Sequence, residues 1–177
     1  MASRRLRLLA LLLAAPLWTA APLAFGQEAR PAELDGDQQK MLDLINSGME
    51  LDRAGKTREA GAVYRRWITE ATKRYGADGL ITSLGYRLLA GNLEDQNQPK
   101  EAEGYWKRLL DINRSVLGER DDETLAAYGF LSSNYMKQGR PADALPLRRT
   151  ILAARTAAKG ERDPKTIVAT SNLASVM

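Results

Sequence analysis

Several stretches of the chain carry residue types at spacings that could do chemistry. Gly55-Lys56-Thr57 has the ending of a phosphate-binding loop, whose backbone N–H groups and lysine cradle phosphate oxygens. That loop needs a glycine five residues earlier, where this chain has Glu50, and a preceding strand, where it has a helical pattern. The three residues therefore read as a turn between helices. Glu119, Asp121, Asp122 and Glu123 could make an acid–base pair or a cation site. Glu161 and Asp163 repeat two of them 42 residues on, as capping and turn residues would. Asn113-Arg114-Ser115 spells a glycosylation acceptor but falls inside a helical pattern. The sequence has neither Cys nor His, which removes thiol and imidazole nucleophiles, imidazole bases and the zinc sites built from them. No catalytic residue, metal ligand or cofactor site emerges, so a non-enzyme is expected.

Two charge columns and two tryptophans complete this inventory. Arg65, Lys107 and Arg149 stand 42 residues apart, with Arg66 and Arg108 beside them, and Glu59, Glu101 and Asp143 form an acidic series. Such ladders could meet an anionic partner or lipid headgroups, but they read as solvated convex faces. Trp67 and Trp106 read as core residues. Net charge gives no reason to expect nucleic acid. Residues 1–26 hold Arg4, Arg5 and Arg7 and no carboxylate, and the remainder carries 23 Lys and Arg against 22 Asp and Glu.

The 42-residue step governs the elements that must position these residues. Ala60, Ala102 and Ala144 keep it, as do Gly76, Gly118 and Gly160, and Thr82, Thr124 and Thr166. Leu89, Leu131 and Leu173 keep it, and so do Gly55, Asn97 and Gly139. Each period reads as two helices. Tyr86, Leu89, Ala90 and Leu93 mark an apolar stripe on the first, and Ala102, Tyr105, Trp106, Leu109 and Leu110 mark one on the second. Gly55, Asn97 and Gly139 fit left-handed helix ends, Pro99 and Pro141 fit first turns, and Asp121 and Asp163 fit N-caps. Gly76, Gly118 and Gly160 are expected to end the second helices in the same left-handed way. The pattern predicts helices over 38–53, 57–74, 79–95, 99–116, 122–137, 141–158 and 164–177.

These residues resemble the tetratricopeptide repeat in its 42-residue form, found in kinesin light chains and many bacterial repeat proteins. The pattern reads Gly48, Gly55, Ala60, Tyr64, then Leu89-Ala90, Asn97, Ala102, Trp106, then Leu131-Ser132, Gly139, Ala144, Arg148. Arg148 replaces the aromatic, so the third repeat is expected to pack less well there. The resemblance implies an all-α, right-handed α-solenoid of antiparallel helix pairs, about three and a half repeats long. Repeats are expected at about 37–76, 77–118 and 119–160, with a partial one at 161–177.

The resemblance also implies that the first helix of each pair lines a concave groove. At 100° per residue the groove-facing positions are Leu42, Ile45, Met49 and Asp52, then Leu84, Arg87, Gly91 and Glu94. Ala126, Gly129, Ser133 and Met136 follow, then Val168 and Ser171. Small, polar and methionine side chains on a rigid face suit a protein or peptide partner. Related arrays hold peptide backbone with Asn on this face; Asn46 and Asn172 fit that place, with Leu88 and Phe130 between them.

Residues 1–26 read as an export signal. The three arginines precede an apolar core from Leu8 to Leu17, and Ala24-Phe25-Gly26 suits cleavage before Gln27. The apolar run is short for a spanning helix, so no membrane insertion is expected after cleavage. Residues 27–36 read as a linker. The expected location is periplasmic or secreted, and the expected role a non-catalytic scaffold. Two alternatives stand beside it. One is the N-terminal recognition segment of a larger enzyme, since bacterial proteins resembling this repeat type often carry a caspase-like CHAT domain downstream. The other is a self-assembling array, joined through helix 164–177, whose partner helix is missing.

Overall fold

The computed structural model describes residues 35–176. The expected signal peptide 1–26, the linker up to residue 34 and Met177 lie outside them. Seven α-helices and no strand occupy the described residues. They are α1 (Gly36–Arg53), α2 (Thr57–Tyr75), α3 (Leu80–Asp95), α4 (Pro99–Leu117), α5 (Asp122–Lys137), α6 (Pro141–Lys159) and α7 (Pro164–Ala174). Each helix packs chiefly on the one before it and the one after it, which makes the fold an all-α solenoid. The expected boundaries hold within two residues for six helices. The last ends at Ala174, three residues early, and passes into a turn.

Two kinds of turn join the helices, and they use glycine differently. After α1, α3 and α5 the chain turns through Gly55 (φ +74°), Asn97 (φ +60°) and Gly139 (φ +70°), the left-handed positions the pattern predicts. The next N–H, from Lys56, Gln98 or Arg140, then reaches back to the carbonyl of Leu51, Leu93 or Tyr135 at 2.8–2.9 Å. Gly76, Gly118 and Gly160 depart from the expectation. Their φ is +80 to +92°, but their ψ is 157–171°, an extended conformation with positive φ that only glycine adopts readily. The chain there has to leave the second helix and reverse at once into the next first helix. Asp121 and Asp163 do cap α5 and α7, accepting from Glu123 N–H and from Lys165 and Thr166 N–H.

Packing between helices rests on the small columns. Ala60, Ala102 and Ala144 are all fully buried. A Cβ on Gly48 would lie 2.6 Å from the Tyr64 ring, and one on Gly85 would lie 2.6 Å from Ile68 and 2.7 Å from Trp67. Trp67 and Trp106 are core residues as expected, at 0% and 4% exposure. Helix α6 buries only Ala144, whereas α4 buries six residues. Pro146 also sits inside α6, where it removes a ladder N–H.

Candidate interaction groove

The sequence-derived motifs resolve into structural roles. Gly55-Lys56-Thr57 is the turn into α2, and Lys56 pairs with Glu59. The carboxylates at 119–123 point to separate partners: Glu119 to Arg114, Asp122 to Arg155 and Lys165, Glu123 to Arg87. Tyr128 donates its hydroxyl to Glu119, whose pKa is held below the ordinary carboxylate value by that bond and by Arg114. Burial, then the Glu119 contact, push Tyr128 up to about 12. Asn113 is buried and donates to the Glu123 carbonyl. Arg65 meets Glu101 at 3.0 Å with both side chains half exposed, as a solvated ladder would. Among the described residues no group of three or more acidic side chains could hold a metal ion, and no helix is long and apolar enough to cross a membrane.

The fourteen groove candidates divide into three groups. Ile45 does not line a groove: it is 1% exposed and packs with Met41, Trp67 and Ala71, because its flank of α1 meets α2. Leu42 and Leu84 pack on that same cluster from its edge, and Met136 packs on the larger core. Asp52 and Glu94 belong to a second group and hold repeats together. Asp52 accepts from Tyr64 Oη at 2.6 Å and from Asn92 Nδ2 at 2.7 Å. Glu94 accepts from Trp106 Nε1 at 2.9 Å, from Asn134 Nδ2 at 2.7 Å and from Lys137 Nζ at 2.6 Å. Each Asn also donates to the first carbonyl of the preceding second helix, Thr57 or Pro99, and Gln96 or Gln138 closes the network.

Sequence reading missed these two clasps. Their signal was present, since Asn92 and Asn134 are 42 residues apart, as are Gln96 and Gln138. An apolar-stripe search passes over buried polar columns of this kind.

The third group stays open. Met49, Arg87 and Gly91 are half-buried, and Arg87 reaches Glu123 on the next first helix at 3.7 Å. Ala126, Gly129 and Ser133 on α5 line a cleft of about 270 Å³ that faces Ala169 and Asn172 on α7, with Arg148 and Ile151 of α6 between them. Cβ atoms added to Gly91 or Gly129 would meet nothing within 4 Å, unlike those at Gly48 and Gly85. Val168 is 57% exposed at the end of the series, and Ser171 beside it is also exposed.

Residues 86–123 match the family model of the tetratricopeptide repeat. Solved structures share the architecture along most of the chain. Kinesin-light-chain-type, nearly identical TPR-like repeats from Podosopora anserina superpose with a TM-score of 0.67 at 17% identity, covering 77% of this chain and 65% of theirs. A second structure of those repeats gives a TM-score of 0.67 at 16% identity with the same coverage. BtubC (BKLC) from P. vanneervenii gives 0.70 at 21% identity, covering 85% of this chain and 59% of its own. The chain thus spans less than two thirds of each of these structures. No curated protein matches it in sequence. Residues 86–123 thus match a tetratricopeptide repeat in sequence, and the chain shares the all-α solenoid fold of these repeat structures.

Proposed function

We propose that the chain is an exported, non-catalytic scaffold that holds a protein or peptide partner along the face formed by α1, α3, α5 and α7. The observation that carries this reading is the cleft between α5 and α7, floored by small side chains. A mid-helix glycine costs roughly 0.5–1 kcal/mol relative to alanine. Gly48 and Gly85 offset that cost by admitting Tyr64 and Trp67, whereas Gly129 admits no side chain of this chain. Its bare backbone is accessible to an external one. Ala126, Ser132, Ser133 and Ala169 around it are short, so they lose little conformational entropy against a bound segment.

The test uses peptides selected from a random display library on the purified chain. A benzophenone group at Ser133 should cross-link to them, and one at Arg149 on the outer side of α6 should not. Cross-linking confined to Arg149, or equal at both, overturns the groove as the binding face. The export part of the reading rests on the residues before Gln27. The intact mass of the exported protein should lack residues 1–26.

A further inference from the structure

Each second helix turns one sector to solvent. At 100° per residue, positions 58, 62, 65, 66, 69, 72 and 73 of α2 fall within about 120° of arc. The same seven positions recur 42 and 84 residues on, in α4 and α6. Eighteen of these 21 positions are exposed and none is buried. Together they hold nine Lys and Arg, one acid (Asp111) and no aromatic or large apolar side chain. Arg58, Arg65, Arg66 and Lys73 are the cations of α2. Lys100, Lys107 and Arg108 repeat the first three on α4, where Arg114 joins them, and Arg149 continues the middle column on α6. Residues 35–176 carry 22 Lys and Arg against 20 Asp and Glu, so a nearly balanced molecule gathers nine cations and one acid on this face.

Five of the nine have a carboxylate partner outside the sector. Arg65 meets Glu101, Lys73 meets Glu70, Lys107 meets Glu103, Arg108 meets Asp78 and Arg114 meets Glu119. With those five acids counted the face still keeps a net charge of +3. The five cationic side chains are themselves 44–67% exposed, and solvent-exposed pairs of this kind are weak enough to share their cation with another anion. Arg58, Arg66, Lys100 and Arg149 have no ion pair among the described residues.

The breadth of the face points to the chemistry of its partner. Arg65 reaches Glu101 from α2 to α4, so these helices lie side by side, and Arg58 to Lys73 spans about 22 Å along one of them. The cations therefore cover an area and do not follow a line. A bilayer offers anionic headgroups over a plane and tolerates irregular spacing. A nucleic-acid single strand is held by stacking on aromatic rings, of which this face has none.

We infer that this face adsorbs to a bilayer carrying anionic phospholipid, with the cations of α2 and α4 on headgroup phosphates and no apolar insertion. The adsorbing residues are separate from those of the groove, so the inference stands independently of the peptide reading.

The test uses the chain from Gln27 onward, which keeps all seven helices and leaves out the apolar run at 8–17, which would partition by itself. It should sediment with vesicles of phosphatidylcholine and phosphatidylglycerol in equal parts, and stay in solution with phosphatidylcholine alone. Raising the salt from about 0.1 M to about 1 M shortens the screening length from about 10 Å to 3 Å and should release it. Each cation near an anionic surface is worth roughly a factor of five in partitioning, so Arg58→Gln with Lys100→Gln should weaken binding about 25-fold. Arg120→Gln with Arg162→Gln removes the same charge from the turns after α4 and α6 and should leave binding within about twofold. All four side chains are exposed, and circular dichroism melts check that both variants fold. Sedimentation with both kinds of vesicle alike, or with neither, overturns the inference. So does an equal loss in the two double variants, which would make net charge and not this face the cause. Retention on a DNA duplex at about 0.1 M salt without vesicle binding reassigns the face to a nucleic acid and equally overturns the lipid.

Discussion

Asn134 on α5 donates from Nδ2 to the Glu94 carboxylate on α3, 2.7 Å away and 40 residues earlier in the chain. The same nitrogen lies 2.9 Å from the Pro99 carbonyl at the start of α4. One buried amide thus ties together three helices of two repeats. Asn92 makes the equivalent pair of contacts to Asp52 and Thr57 at 2.7 and 2.8 Å. In a solenoid, stability accrues between neighbouring repeats, so these bonds lie on the interfaces that decide whether the array holds.

Asn134→Ala should cost about 1–3 kcal/mol, because it removes one of three donors to the mostly buried Glu94 carboxylate and the closer of two donors to the Pro99 carbonyl. Asn134→Ala and Glu94→Gln combined should cost less than the sum of the two alone, by roughly 0.5–3 kcal/mol. Urea unfolding of the four proteins gives the coupling. Strict additivity would show that the contact contributes nothing beyond packing.

The threonine column gives a contrast of sign. Thr82, Thr124 and Thr166 are all buried, at 0%, 0% and 1% exposure. Thr82 Oγ1 donates to the Gly76 carbonyl at 2.7 Å, whereas the hydroxyls of Thr124 and Thr166 have no hydrogen-bond partner among the described residues. Thr82→Val should therefore destabilise by about 1 kcal/mol, and Thr124→Val should be neutral or stabilising. In thermal melts the midpoint of Thr82→Val should fall, and that of Thr124→Val should hold or rise.

What was legible in the sequence follows from what repeats. Apolar stripes, caps and turn glycines recur at 42 residues because every copy solves the same packing problem, so helix positions could be read from them directly. The groove was legible only in outline. Helical phase alone puts Ile45 on the open face, yet α2 covers that flank of α1. Phase likewise makes Asp52 and Glu94 look available, since it does not record that Asn92 and Asn134 arrive from the next repeat. The turn glycines were recognised as punctuation, but the extended ψ at Gly76, Gly118 and Gly160 comes from the reversal between repeats.

The alanine column separates packing from surface charge. Ala102 is fully buried, so Ala102→Leu should overpack its junction and cost about 1–3 kcal/mol. Arg65 pairs with Glu101 in solvent, so Arg65→Ala should change stability by less than about 1 kcal/mol. Equal effects in chemical denaturation would show that the inner and outer faces of the second helices have been exchanged.

The alkaline limb of stability depends on Tyr128. Its pKa in the folded protein is raised to about 12, first by burial and then by the Glu119 carboxylate. The unfolded chain releases that proton near the ordinary tyrosine value of about 10. Above that pH the folded state binds more protons than the unfolded one, so stability falls as pH rises. The contribution is complete below about pH 10 and is lost as pH climbs toward 12. Tyr128→Phe should flatten this part of the curve. Denaturation midpoints measured from pH 9 to pH 12 for both proteins check it, and parallel curves would assign the alkaline loss to other groups.

Helix α7 should be the least protected element. Ile167 and Val168 are 54% and 57% exposed, whereas Leu125, which matches Ile167 one period earlier, is 4% exposed. Leu125 lies on a helix packed between α4 and α6, whereas α7 makes its chief contacts with α6 alone. Backbone hydrogen bonds on a helix held chiefly by one neighbour open by local fraying, at a free energy below that of global unfolding. Its amides should therefore exchange at least tenfold faster than those of α4, about 1.4 kcal/mol of difference in opening. Association of two copies through this helix would appear as protection that rises with protein concentration, together with a doubled mass in light scattering. Ile167→Lys should abolish that concentration dependence while leaving α4 unchanged. A monomer whose α7 exchanges as slowly as α4 would contradict both the fraying of this helix and association through it.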